Sequence, residues 1–260
     1  MQTHKTQPWP RTGLGVTAAL LIGCRLATAG EPAAAPAPEK KLWETSAFAG
    51  LTLARGNSET FLGNLTLDTK RKWEKDQAAF GVSGGYGEAT VNGTTDKNTE
   101  YVRGFGQYDH LFSERFYAGV RLDGEYDGIA GVDYRFRLSP LAGYYFIKTK
   151  KTTLSGELGP SVVFENLKTS PSDIYVGLRA GEKFTHKLTE TTRIWQSFEY
   201  VPRVDRWTEK YLLIAEIGID AAITKQASLS LVFQDNYDSQ PAAGRKENDL
   251  RLIAGVRYRF

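Results

Sequence analysis

Charged residues of both signs recur at alternate positions along this chain: Arg121, Asp123 and Glu125; Arg135 and Arg137; Glu216 and Asp220; Arg251 and Arg257. Arg103, Asp109, Glu157, Arg179, Lys183 and Glu199 occupy equivalent places in other runs. A spacing of two puts each set on one face of an extended strand. Such a face supports two kinds of chemistry. Lining water, mixed charges set a field that screens ions and small solutes. Facing one another, they pair and fill the space between them.

A third kind, hydrolysis, needs a nucleophile beside an activating base. The histidines are His4, His110 and His186; the last two fall at strand ends beside Ser113-Glu114 and the 187–191 turn. Histidines at such a rim more often serve an interface than a reaction, so a hydrolase ranks last and no catalytic residue is assigned. RGNSET at 55–60 invites a phosphate-loop reading but lacks that motif's glycine spacing and lysine. A hairpin turn at Gly56-Asn57 is the better reading. A single Cys excludes an internal disulfide and a cysteine-built zinc site, and no cofactor or metal is assigned.

The elements that carry these charges are strands. In YAGVRLDGEYD, Ala118, Val120, Leu122 and Tyr126 oppose Gly119, Arg121, Asp123, Glu125 and Asp127. Tyr134, Phe136 and Leu138 oppose Arg135, Arg137 and Ser139, and Tyr211 to Ile219 repeats the pattern. About twelve such runs are expected, near 43–54, 60–73, 77–88, 98–112, 115–127, 132–147, 152–166, 173–187, 192–203, 209–223, 226–237 and 247–260. They exceed the ~5–6 residues of ordinary strands and suit the ~9–11 tilted residues that cross a bilayer. Tight connectors (74–76, 113–114, 149–151, 189–191, 224–225) alternate with longer ones (55–59, 90–98, 128–131, 168–173, 205–209, 239–246). Lipid tolerates no unpaired backbone, so strands cross it only as a closed barrel. The fold expected is all-β: one closed antiparallel transmembrane barrel of about twelve strands, up-and-down, over 43–260. Bulky aromatics near strand ends, among them Trp43, Trp73, Tyr86, Tyr134, Phe146, Tyr200, Tyr211 and Tyr237, fit interfacial girdles. Glu182 falls on the apolar face and calls for a bulge or a near-interface position.

The first 42 residues read differently. Lys5 and Arg11 precede the apolar run LGVTAALLIG, and Ala27-Thr28-Ala29 supplies small residues for cleavage between Ala29 and Gly30. Residues 1–29 are therefore expected to be a secretory signal peptide. LIGC at 21–24 offers a rival, lipidation of Cys24, although charged Arg25 follows it. Residues 30–42, rich in Pro and Ala, read as a semi-rigid periplasmic linker. Removing Lys5, Arg11 and Arg25 from the 33 basic residues leaves as many as the 30 acidic ones, so no nucleic-acid partner is expected.

The opening AGLTLARGNSET, the central YDHLFSERFYAGVRLDGEYDG, GELGPSVVFEN and the closing DNYDSQPAAGRKENDLRLIAGVRYRF together resemble the salt-induced outer-membrane protein family, a domain of unknown function. The resemblance covers almost all of 43–260 and implies an outer-membrane β-barrel without established substrate or catalytic residues. The readings carried forward are a small passive pore for ions or solutes and a plugged structural barrel. Leu252, Ala254, Val256, Tyr258 and Phe260 form one apolar row, resembling the terminal pattern read by the barrel assembly machinery. Outer-membrane lipid, that machinery and periplasmic chaperones are the partners expected.

Overall fold

The computed structural model describes residues 43–54, 58–91 and 93–260. Ala29, Gly30, Cys24, the linker and the Gly56-Asn57 turn lie outside the described residues. Twelve strands follow in order: β1 (Glu44–Ala54), β2 (Ser58–Lys72), β3 (Asp76–Val91), β4 (Thr94–Leu111), β5 (Phe116–Asp127), β6 (Val132–Lys148), β7 (Thr152–Leu167), β8 (Asp173–Lys187), β9 (Thr192–Pro202), β10 (Tyr211–Ala222), β11 (Ala227–Asp238) and β12 (Asn248–Arg259). Each pairs antiparallel with its neighbours in sequence, and β1 meets β12 from Ser46 opposite Arg259 to Gly50 opposite Gly255. The ring is closed, so every strand has a neighbour on both sides, although the closing seam pairs only residues 46–50 with 255–259.

Burial in this barrel is inverted relative to a soluble protein. Leu252 is 63% exposed and Leu65 62%, whereas Arg179 is 2% exposed. Apolar side chains on the outside and charges within suit hydrocarbon as the solvent, and the closed ring pairs most of the backbone that lipid would meet. Aromatic pairs stand at both ends of the outer face. Trp43 and Trp73 (6.2 Å), Phe112 and Phe116 (5.8 Å), Tyr144 and Phe146 (5.5 Å) and Tyr258 and Phe260 (5.1 Å) mark one end. At the other, Tyr200 meets Tyr211 edge-on and Tyr211 stacks on Tyr237, each 5.7 Å from the next.

The two ends are built differently. At the turn end one short motif recurs: a hydroxyl accepts the backbone N–H three residues on. Ser113 takes Phe116 (2.9 Å), Thr149 takes Thr152 (2.9 Å), Thr189 takes Thr192 (2.9 Å) and Thr224 takes Ala227 (2.8 Å). These hydroxyls satisfy N–H groups that the ladder cannot reach. At the loop end the connections at 168–172, 203–210 and 239–247 are longer.

One expected loop is a correction. Residues 90–98 are not a long connection: β3 runs to Val91, β4 begins at Thr94, and Gly93 turns the chain at φ 79°. Thr90 and Thr95 join hydroxyls at 2.7 Å across the hairpin. The polar composition suggested a loop, but Thr is at home on a strand and the turn itself needs only two residues. An irregularity at Gly87/Glu88 absorbs the added length.

Candidate functional site

The lumen is where the alternating charges converge. All fifteen positions singled out from the sequence, Arg103, Asp109, Arg121, Asp123, Glu125, Arg135, Arg137, Glu157, Arg179, Lys183, Glu199, Glu216, Asp220, Arg251 and Arg257, project inward, as their partners there show or, for Glu216, its hydrogen bond to Gln234. Around β5 to β9 they form a circuit. Arg121 reaches Asp123 (2.7 Å), Asp123 lies 3.6 Å from Arg137, and Arg137 pairs with Glu199. Arg179 joins Glu199 (2.7 Å) to Glu157 (2.9 Å). Gln107 donates to Glu157 (2.9 Å) and accepts from Arg121 (3.1 Å), which closes the circuit. Glu157 also accepts from Tyr117 (3.0 Å) and Lys183 (3.2 Å). A buried charge is tolerable when its attraction and hydrogen bonds offset lost hydration, and here each member has several partners.

Nearer the loop end two contacts span almost the full width. Arg135 on β6 binds Glu125 and Glu165 at 2.9 Å each and also reaches Asp238 on β11. Arg251 on β12 approaches Asp127 on β5 at 3.3 Å. In each case the strands are five places apart in a ring of twelve. Asp127 is held in place from two sides: it accepts the N–H of Ala130 (2.9 Å) and lies 3.2 Å from Arg103. Over these contacts sits the 239–247 loop. Ala242, 2% exposed, packs against Val132 and Leu167, and the Ala243 N–H donates to Thr169 at 2.8 Å. In the 203–210 loop, the Arg203 guanidinium beside Asp205 (2.7 Å) holds that carboxyl below the usual carboxylate range.

Beneath the bridges lies a cavity of about 570 Å³. Its lining includes Phe48, Asp68, Phe105, Trp195, Glu216 and Arg257, and it reaches Arg193 and Thr185 close to the turn end. Inward aromatic rings lie over glycines of the next strand. A Cβ on Gly81 would stand 2.4 Å from the Phe105 ring, and one on Gly85, Gly143 or Gly218 would strike Tyr101, Tyr117 or Trp195 as closely or closer. Only glycine leaves room for such a ring to lie flat on the wall.

Several lumen groups were missed by the sequence reading: Gln107, Tyr117, Glu165, Arg193, Lys210 and Asp238. Parity could have found most of them. Tyr117 shares its face with Arg121, and Glu165 with Glu157, but the inward positions are chosen by charge among the residues of each run. Glu182 does face outward, hydrogen-bonded to Gln196 at 3.0 Å. Its neighbour across the ladder is Gly156, over which the girdle ring of Phe146 leans, so it sits at interfacial depth and needs no bulge.

Among the described residues, His110 and His186 make no catalytic set. His110 Nδ1 lies 2.8 Å from Asp76 without an adjacent hydroxyl nucleophile, apart from the Tyr108 phenol that shares the same carboxylate. His186 Nδ1 lies 2.8 Å from the Thr152 hydroxyl, and no carboxylate orients it among the described residues. Base, acid and nucleophile are thus divided between two places. Among the described residues no group of three or more His, Cys, Asp or Glu could hold a metal ion.

Closed ring, inverted burial and a charged lumen define a transmembrane β-barrel of the outer-membrane type. The chain belongs to the family described as protein of unknown function, DUF481, which it matches over residues 47–260. Among curated proteins none matches it. Of solved structures, the NanC porin is similar at a TM-score of 0.51 and 8% identity, over 83% of this chain and 100% of that one. The COG4313 outer membrane channel from Pseudomonas putida F1 gives 0.49 at 9% identity, over 84% and 94%. The KdgM porin gives 0.42 at 11%, over 84% and 99%. At such identities the likeness concerns the fold, and the NanC porin carries it.

Proposed function

We propose that the protein is an outer-membrane barrel with a narrow passage for ions or small solutes, shut at the loop end in this conformation. The observation behind this reading is the pair of ion bridges, Arg135 to Asp238 and Arg251 to Asp127, between strands five apart, with the 239–247 loop seated above them. The cavity of about 570 Å³ below, lined by rings as well as charges, supports a passage rather than a solid core. The rival, a structural barrel without transport, draws on the closed circuit of Glu157, Arg179 and Glu199.

Single-channel recording of the refolded protein separates the two. The wild type opens rarely. The D238N/R251Q variant leaves Arg135 and Asp127 with their other partners, so it folds, and it opens on the order of tenfold more often, as a lost coupling of ~1–2 kcal/mol implies. Silence from both proteins would leave the structural barrel standing.

The turn end and both ends of the barrel segment face the periplasm, lipid surrounds the outer face, and chaperones and the assembly machinery act during export. Phe260 belongs to the signal for that machinery. Its backbone N–H donates to Thr45 (3.0 Å) while its ring is exposed beside Tyr258. Deleting it removes little packing, so the truncated protein refolds in micelles yet accumulates poorly in the outer membrane of cells. Wild-type amounts there would show that Phe260 is dispensable.

A further inference from the structure

The turn end carries an uncompensated band of positive charge. Lys72, Lys75, Arg115, Lys150, Lys151 and Lys187 are all exposed, and they come from four neighbouring connections between β2 and β9. None of the six is within 4.0 Å of a carboxylate among the described residues. Lys148, in their midst, donates instead to the Glu114 backbone carbonyl and lies over the Tyr145 ring at 4.6 Å. The loop end is mixed: Lys97 pairs with Glu100 (3.2 Å), Arg203 with Asp173 (2.6 Å) and Lys210 with Asp173 (3.4 Å), while exposed Arg206, Arg245 and Lys246 have no carboxylate within 4.0 Å among the described residues. Like charges gathered without counter-charges repel one another, and the sequence supplies acids at Glu74, Glu114 and Glu190 that do not reach them.

Depth identifies the occupant. The exposed rings of Trp73, Phe112, Phe116 and Phe146 border the same connections on the outer face. In transmembrane barrels such rings mark the boundary between hydrocarbon and headgroups. Cations just beyond that boundary sit at headgroup depth, where each lysine or arginine gains attraction from anionic lipid. Arg71, which lies 4.6 Å over the Trp73 ring, is already engaged by the girdle. We infer that this band binds the phosphodiester headgroups of anionic phospholipids in the leaflet that meets the turn end. The inference rests on the transmembrane reading above and is independent of whether the lumen conducts.

The test uses the full barrel in phosphatidylcholine bilayers doped with spin-labelled phosphatidylglycerol or spin-labelled phosphatidylcholine. The motionally restricted fraction reports which lipid the protein retains. The expected result is a preference of about threefold or more for phosphatidylglycerol, falling towards one as sodium chloride is raised. In K72Q/K75Q/R115Q/K150Q/K151Q/K187Q the preference falls close to one while the total restricted lipid is unchanged. The matching variant with arginine at the five lysine positions keeps it. Equal preference in wild type and glutamine variant overturns the inference, as does no preference in the wild type. So does loss of preference with sodium phosphate at an ionic strength where chloride has no effect, since that assigns the band to free phosphate. Selective binding of soluble polyglutamate by the wild type, without any lipid preference, would assign it to an acidic soluble partner. Absence of restricted lipid of either kind would overturn the transmembrane reading itself.

Discussion

Two walls of one lumen solve opposite problems. From β5 to β9 the wall is crowded with Asp123, Arg137, Glu157, Arg179 and Glu199, each with at least two lumen partners. From β12 round to β4 the wall is thinned by Gly50, Gly81, Gly85 and Gly255, with Phe48, Tyr101 and Phe105 lying against it. There the charges are sparse, and Asp68 meets Arg257 at 3.4 Å while remaining half open to water. Where charges fill space, every partner must be present, because a desolvated charge left alone is costly. Where glycine and rings line the wall, fewer groups need a partner and a cavity remains. The same alternating pattern therefore yields a packed partition on one side and a chamber on the other.

The contrast can be broken by removing one member from each wall. E199Q takes the charge from between Arg137 and Arg179, and a loss of ~3–5 kcal/mol is expected. The midpoint for loss of the heat-modifiable folded band in detergent reads this. G81V brings a branched side chain into the Phe105 ring, and since the ring can shift towards the cavity, ~1–3 kcal/mol is expected. D68N breaks only a partly exposed pair and is expected to cost less than ~1 kcal/mol. Equal midpoints for E199Q and D68N would show that the two walls do not differ as described. To sharpen the comparison, E199Q combined with R179M should recover part of the loss, since Arg179 is no longer left facing an uncharged partner while Arg137 keeps Asp123 and Glu157 keeps Lys183.

Much of the barrel was readable before the structure. The Tyr134 to Ser139 run divides by parity alone into Phe136 outside and Arg137 inside, because a strand has period two whatever surrounds it. Strand ends were legible where Ser113, Thr149, Thr189 and Thr224 interrupt the alternation, since each hydroxyl captures its own N–H locally. The hairpin at Gly93 was not, because its polar residues alternate quietly as strand while their composition resembles a loop. Tyr117 and Tyr175 were also obscured: each lies inward at 2% and 5% exposure, and an aromatic on the charged face defies the usual division between lumen and lipid.

By itself the sequence determined the strand count, the two faces of most strands and fifteen of the charges that enter the lumen, though not Glu165, Arg193, Lys210 or Asp238. Those depend on backbone geometry repeated every two residues and on turns of a few residues. Only the tertiary structure decided that Arg135 meets Asp238, that Arg251 meets Asp127, and that Ala242 seats beside Leu167. Such pairs lie over 70 residues apart in sequence and come together through ring closure and strand register. Parity places a charge inside a barrel, but the radius and shear of the closed ring decide which charge it faces.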